Sequence, residues 1–258
     1  MRDSKFIKII AIVILMVLSS LLAFLNTALA QLDLNVGHSH IKIDILYHGS
    51  TVDIKGETDR DADLIIKIKS PESESVLRKK GRVGFLWMNT GKLRFENVPN
   101  VYFLYSTRDL KDILSQKEMD RYNIGYAALE KSVKIYPINS STEKDKWFSE
   151  FVKFKEASGL YNISSRRISV VQRGNIERYS IKVDWPYQVP PGHYTVTVYE
   201  IRNKKVIDKS EASISVERSG FVKIIAEIAN KNGALYGILS VVIALAVGFG
   251  ISLIFKKP

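Results

Sequence analysis

Arg178-Tyr179-Ser180-Ile181-Lys182-Val183-Asp184-Trp185 alternates polar and apolar side chains without a break. Successive side chains of a β-strand point to opposite faces, so Tyr179, Ile181, Val183 and Trp185 fall on one face and the polar groups on the other. This is how an antiparallel strand reads when one face is buried and one is wet. Upstream, Ile41, Ile43, Ile45 and Tyr47 alternate with Lys42, Asp44 and Leu46; downstream, Ala212, Ile214 and Val216 alternate with Ser213 and Ser215. Further strand candidates are 51–55, 63–69, 93–98, 101–106, 168–172 and 194–201. Turn signals such as Ser70-Pro71, Asn89-Thr90-Gly91 and Pro190-Pro191-Gly192 separate them, a spacing typical of β-sandwiches.

Two helical pieces interrupt this pattern. Ser106-Thr107 reads as the N-cap of a helix carrying Leu110, Ile113 and Leu114. Ser140-x-x-Glu143 is a capping box, followed by the apolar stripe Trp147, Phe151 and Phe154 and a stop at Gly159. The expected fold is therefore mainly β: two immunoglobulin-like β-sandwich units with short helical insertions, at 31–136 and 160–218. A helical linker at 137–159 joins them.

The two ends carry the topology. Arg2, Lys5 and Lys8, an apolar run and Ala28-x-Ala30 before Gln31 are the three parts of a secretory signal peptide at 1–30; a retained anchor is the rival reading. Either exports the chain from Gln31 onward. Residues 219–234 place Phe221, Ile224, Ile225 and Ile228 at helical spacing, as in an amphipathic helix at a membrane interface. Leu235–Phe255 follows without a charged residue, and its 21 residues span about 31 Å as a helix, the thickness of a bilayer core. Lys256 and Lys257, in a tail at 256–258, mark the cytoplasmic side. The expectation is a single-pass protein of the cell membrane with its large domain outside the cytoplasm. On the spanning helix, Ser240, Ala244, Gly248 and Ser252 recur every fourth residue, so a second helix can approach closely there.

Composition removes several classes of chemistry. The 258 residues include no cysteine, which excludes disulfides, thiolate metal sites and thiol catalysis. The net charge is +11, yet Gln31–Gly220 holds 31 Lys and Arg against 25 Asp and Glu, too even a balance for a nucleic-acid binder. His38 and His40 share a face on a strand, but no further ligand completes a metal site. Asp59, Asp61 and Asp63 have the opening spacing of a calcium loop, whose required Gly and Glu are Leu64 and Ser70 here. No nucleophile elbow, Walker loop or zinc-protease motif occurs, so neither catalysis nor a cofactor is expected.

The densest chemical signal is Leu77-Arg78-Lys79-Lys80-Gly81-Arg82-Val83-Gly84-Phe85-Leu86-Trp87-Met88-Asn89. Arg78, Lys80 and Arg82 beside Trp87 can grip an oxyanion, or else form a solvated basic hairpin. Ser106, Thr107 and Arg108, at an expected strand-to-helix junction, add a second candidate anion site, or an ordinary cap.

These residues also carry a family resemblance. Tyr47-x-Gly49, Val52-x-Ile54-x-Gly56, Arg78-x-Lys80, Gly84-x-x-Trp87-x-Asn89, Ser106-Thr107-Arg108-x-Leu110, Gly159-Leu160-Tyr161 and Pro191-Gly192-x-Tyr194-x-Val196 run through the chain in order. In this the chain resembles the Alph_Pro_TM family of transmembrane proteins, first grouped from alphaproteobacteria and without an assigned activity. It departs in Ile176-Glu177-Arg178, where a Phe-Arg pair is expected. Members tend to be encoded beside a TauE-type sulfite/sulfonate exporter. The resemblance thus implies an accessory role beside a polytopic exporter and favours an anion at Arg78, Lys80, Arg82 and Arg108. The alternative is an envelope protein–protein interaction module that binds no small ligand.

Overall fold

A computed structural model describes residues 32–59, 61–138, 140–173 and 176–255. The expected signal peptide and the 256–258 tail lie outside the described residues. In chain order the elements are β1 (Asn35–Gly37), β2 (His40–Ile43), β3 (Ser50–Thr58), β4 (Asp63–Lys69), β5 (Glu72–Val83), β6 (Leu86–Pro99) and β7 (Tyr102–Ser106). Three short helices follow, α1 (Leu110–Ile113), α2 (Gln116–Tyr122) and α3 (Tyr126–Ser132), then β8 (Lys134–Tyr136) and α4 (Ser141–Ala157). The chain continues through β9 (Tyr161–Ser165), β10 (Ser169–Arg173), β11 (Ile176–Trp185), β12 (Gly192–Arg202) and β13 (Lys205–Arg218) to α5 (Gly220–Lys231) and α6 (Gly233–Ile254). The protein is mostly β.

The six-stranded sheet β2-β13-β12-β4-β7-β9 is central and is covered on both faces. Leu64, Ile66 and Ile68 of β4, Phe103 and Tyr105 of β7, and Val196 and Val198 of β12 point to one face. There they meet Val52, Ile54, Tyr179, Ile181, Val183 and Trp185 of the four-stranded sheet β1-β3-β11-β10. Trp185 fills the middle of this core, edge-on to Phe103 at 6.2 Å and to Tyr194 at 5.1 Å between ring centroids. The intervening residues Ile65, Tyr102, Leu104, Tyr199 and Ile201 point the other way. They form a second core with α4, the short helices and the three-stranded sheet β5-β6-β8.

Lys67 belongs to that second face. Its Nζ donates to the Tyr122 carbonyl at 2.6 Å and lies 5.1 Å from the Tyr199 ring centroid. Burial lowers its pKa to about 8, with Lys69 nearby acting in the same direction.

The sheets do not follow the division of the chain expected from sequence. β3 pairs with β11, β4 with β12, β7 with β9 and β2 with β13, each pair joining 31–136 to 160–218. Such pairings are non-local, and nothing in the order of side chains along a strand announces its partner. Nor is 137–159 a spacer: Phe148, Phe151 and Val152 of α4 are buried, with Phe151 stacked on Phe95 at 4.5 Å. The ends of α4 are as expected. Ser140 Oγ accepts from the Glu143 amide, while Gly159 (φ +66°) and Leu160 return their amides to Glu156 and Lys155, closing a Schellman turn.

Smaller corrections concern the termini of elements. β2 ends at Ile43 and the chain turns at once, which leaves Ile45 and Leu46 exposed instead of continuing the alternation. Ser106 and Thr107 do not cap α1, whose N-cap position is Asp109; Ser106 is the buried last residue of β7. Gly56 has a steric role, because a Cβ there would lie 2.0 Å from the Asp33 carbonyl oxygen where the incoming chain crosses β3.

Candidate functional site

β5 and β6 form a long antiparallel hairpin whose turn is Gly84-Phe85, with Gly84 at φ +64°. Its third strand, β8, pairs only with Arg94–Glu96, so the outer part is a two-stranded ribbon. Cross-strand partners share a face, and the register places Arg78 opposite Lys92, Lys80 opposite Asn89 and Arg82 opposite Trp87. The bases and the indole therefore lie together on one side of the ribbon. Every residue from Arg82 to Lys92 is exposed.

Six bases and no acid lie between Ser75 and Phe95. Arg94 pairs with Glu96 at 3.4 Å. Among the described residues no carboxylate lies within ion-pair distance of Arg78, Lys79, Lys80, Arg82 or Lys92, and Arg82 Nε donates only to the Gly84 carbonyl. Like charges this close raise the local positive potential.

Between this hairpin and α4 lies an open cleft of about 400 Å³. Leu77 and Lys79 face it from β5, with Arg78 and Lys80 at its border turned to the other face of the ribbon, and Trp147, Glu150, Phe151 and Phe154 of α4 form the opposite side. Lys79 Nζ sits 4.8 Å from the Trp147 ring centroid, a cation–π contact, and Trp147 Nε1 donates to Glu143. With Lys79 on one wall and aromatic carbon beside Glu150 on the other, the cleft suits an apolar group, whereas the opposite ribbon face, with Arg78, Lys80, Arg82 and Trp87, suits an anion that is partly apolar. The stripe Trp147, Phe151 and Phe154 is visible in the sequence; that it faces the basic strand is not.

The second predicted group is elsewhere. Ser106 ends β7 in the central sheet and Thr107 and Arg108 follow it, and no hydrogen bond or ion pair among the described residues links them to the hairpin bases. Thr107 Oγ1 accepts from the Leu64 amide and donates to Asp63 at 3.0 Å. Arg108 grips both oxygens of Asp63, Nε to Oδ1 at 2.8 Å, and the carboxylate raises the guanidinium pKa. An anion at Arg108 has to compete with Asp63, 45 residues upstream.

The remaining candidates separate. His40 lies 3.3 Å from Glu217, and His38 occupies a left-handed turn at φ 57°. Asp59 pairs with Arg202 and Asp63 with Arg108. Among the described residues no group of three or more His, Asp or Glu side chains converges on a point.

α6 is apolar and unburied over Gly233–Ser252, long enough to cross a bilayer. Ser240, Ala244, Gly248 and Ser252 are all exposed along it. A mostly β domain followed, after α5, by one such helix defines a class, the membrane-anchored β proteins. Within that class the chain belongs to the family described as "Putative transmembrane protein (Alph_Pro_TM)", which matches residues 31–257. No curated protein matches the chain.

Proposed function

We propose that this is a non-enzymatic, single-pass membrane protein serving as the accessory subunit of a polytopic anion exporter of the sulfite/sulfonate type. Its β domain is exported and its C-terminus is cytoplasmic. The Ser240/Ala244/Gly248/Ser252 face of α6 packs on the exporter, small residues allowing close backbone approach. The β5–β6 hairpin receives the anion or an acidic loop of the partner. The observation that carries this reading is the exposed ribbon face on which Arg78, Lys80 and Arg82, with no ion-pair partner among the described residues, lie beside Trp87. A sulfonate has an oxyanion for the bases and carbon for the indole.

The test is thermal unfolding of the full chain in detergent with sulfite, a small organic sulfonate, sulfate or chloride at equal ionic strength. A ligand bound only by the native state raises the midpoint with its concentration. The expected result is a rise selective for sulfite or sulfonate that Arg78→Ala with Lys80→Ala abolishes. No selective rise would sink the anion reading. The alternative, an envelope interaction module without a small ligand, is favoured by one observation: Arg108 is already neutralised by Asp63. Photo-cross-linking from Trp87 to a non-exporter protein would support it.

A further inference from the structure

α5 is amphipathic, and its apolar stripe is not packed into the β domain. Lys223, Ala226, Glu227 and Asn230, which share one helical face, line a shallow groove with Pro191, Val216 and Arg218 at the end of the β domain. Ile224, Ile225 and Ile228 lie on the opposite side, and Ile224 is 54% exposed. A helix on a water-soluble domain turns its apolar stripe toward the protein. Here the stripe that borders the protein is polar and itself mostly exposed, Ile228 is half-buried, and Ile224 and Ile225 stand in solvent, so a second apolar medium has to cover them.

The surrounding turns have the same character. β2 and β13 run parallel and leave the central sheet at the same end. There the Ser219 amide donates to the Ile43 carbonyl at 2.8 Å, which fixes the start of α5 beside the turn that follows β2. That turn is closed by the Leu46 amide on Asp44 Oδ1 and holds Ile45 and Leu46 in solvent, Leu46 at 77% exposure. A second loop reaches the same end. A Cβ on Gly49 would lie 3.0 Å from the Trp185 carbonyl oxygen, and exposed Tyr187 follows two residues later.

We infer that this end of the β domain rests on the bilayer surface, with Ile224, Ile225 and Ile228 of α5 and the turn residues Ile45, Leu46 and Tyr187 inserted at the headgroup boundary. Continuity with the anchor identifies the occupant, since Asn232 alone separates α5 from α6. An interfacial helix buries its apolar face by about 5–10 Å, a depth that short turns can also reach. Tyrosine suits this boundary, having an apolar ring and a polar tip. Because α6 tethers the domain, weak contacts suffice to hold it flat. The inference rests on α6 crossing a membrane and not on the exporter reading.

The chain contains no cysteine, so one introduced thiol carries an environment-sensitive fluorophore without background. The experiment uses the full chain in phosphatidylcholine vesicles containing lipids brominated at shallow or deep acyl positions. Probes are placed by Leu46→Cys, Ile224→Cys, Val247→Cys within α6, and Lys117→Cys on exposed α2 as the water reference. The expected result is a blue shift and shallow-bromine quenching at positions 46 and 224, deep quenching at 247 and none at 117. Quenching at 224 and 247 with position 46 as wet as 117 would overturn the docked domain. Loss of deep quenching at 247 would remove the span itself and is distinguishable from failure of the contact. Probes at 46 and 224 that stay wet in pure lipid but become dry in native membranes would overturn the lipid assignment in favour of a protein occupant.

Discussion

α4, with 17 residues, and α5, with 12, both carry an apolar stripe, yet one stripe is buried and the other is not. α4 turns Phe148, Phe151 and Val152 into the second core; α5 turns Ile224 and Ile225 out. Hydrophobic periodicity fixes that a stripe needs cover but not what covers it. For α4 the cover is the six-stranded sheet and the hairpin. For α5 the groove of the protein borders the polar side and leaves Ile224 and Ile225 uncovered, the inferred cover being the bilayer.

That contrast can be tested by substitution. The largest effect is expected at Phe151, which is fully buried and stacked on Phe95. Phe151→Ala should destabilise the β domain by about 3–5 kcal/mol in denaturant unfolding of the full chain in detergent. A loss below about 1 kcal/mol would mean that α4 does not close a core.

Next in size is a pH effect from Lys67, on the face that α4 helps to cover. Its folded pKa is lowered to about 8 from 10.5. Below pH 8 both states are protonated and stability is flat. Between about 8 and 10 the folded state releases its proton first, so the unfolded state binds more protons and stability rises with pH, by up to roughly 2–3 kcal/mol. At higher pH buried tyrosines oppose this. Burial raises the pKa of Tyr102 and Tyr161, the unfolded chain ionises first, and stability falls. Unfolding midpoints across pH 7–10 should show the rise in the native chain and none in Lys67→Met.

Gly159→Ala, at the C-terminal stop of α4, should cost about 1 kcal/mol, because alanine is strained at φ +66°. Nearby Pro186 is at ordinary contact distance, so the effect is conformational rather than steric. Ile224→Ser should be smallest, within about 0.5 kcal/mol for the same unfolding in detergent. If it matched Phe151→Ala, the stripe of α5 would be packed on protein after all.

The parts legible from sequence share a physical basis. Arg178–Trp185 alternates because β11 lies in an outer sheet with one face on the core, and its burial follows the pattern residue by residue. β4, β7 and β12 are buried on both faces, so consecutive residues such as Leu64, Ile65 and Ile66 are all apolar and show no period. They can be located as strands, but their central position cannot be read. The partition into two units misled because β3 meets β11 across more than a hundred residues of chain. At the candidate site the bases and Trp87 are plain in the sequence. The aromatic wall opposite Lys79 is not, nor is Asp63 at Arg108, since both depend on long-range packing.

The parallel pairing of β2 with β13 has a mechanical consequence. β13 is the last strand before the anchor and lies between β2 and antiparallel β12. A pull on α6 runs along β13 and strains its ladders to both neighbours together, as shear, instead of peeling bonds one after another. The root of the anchor is thus built as a clamp. A force-extension experiment that pulls through the C-terminus should find its highest rupture force at the release of β13.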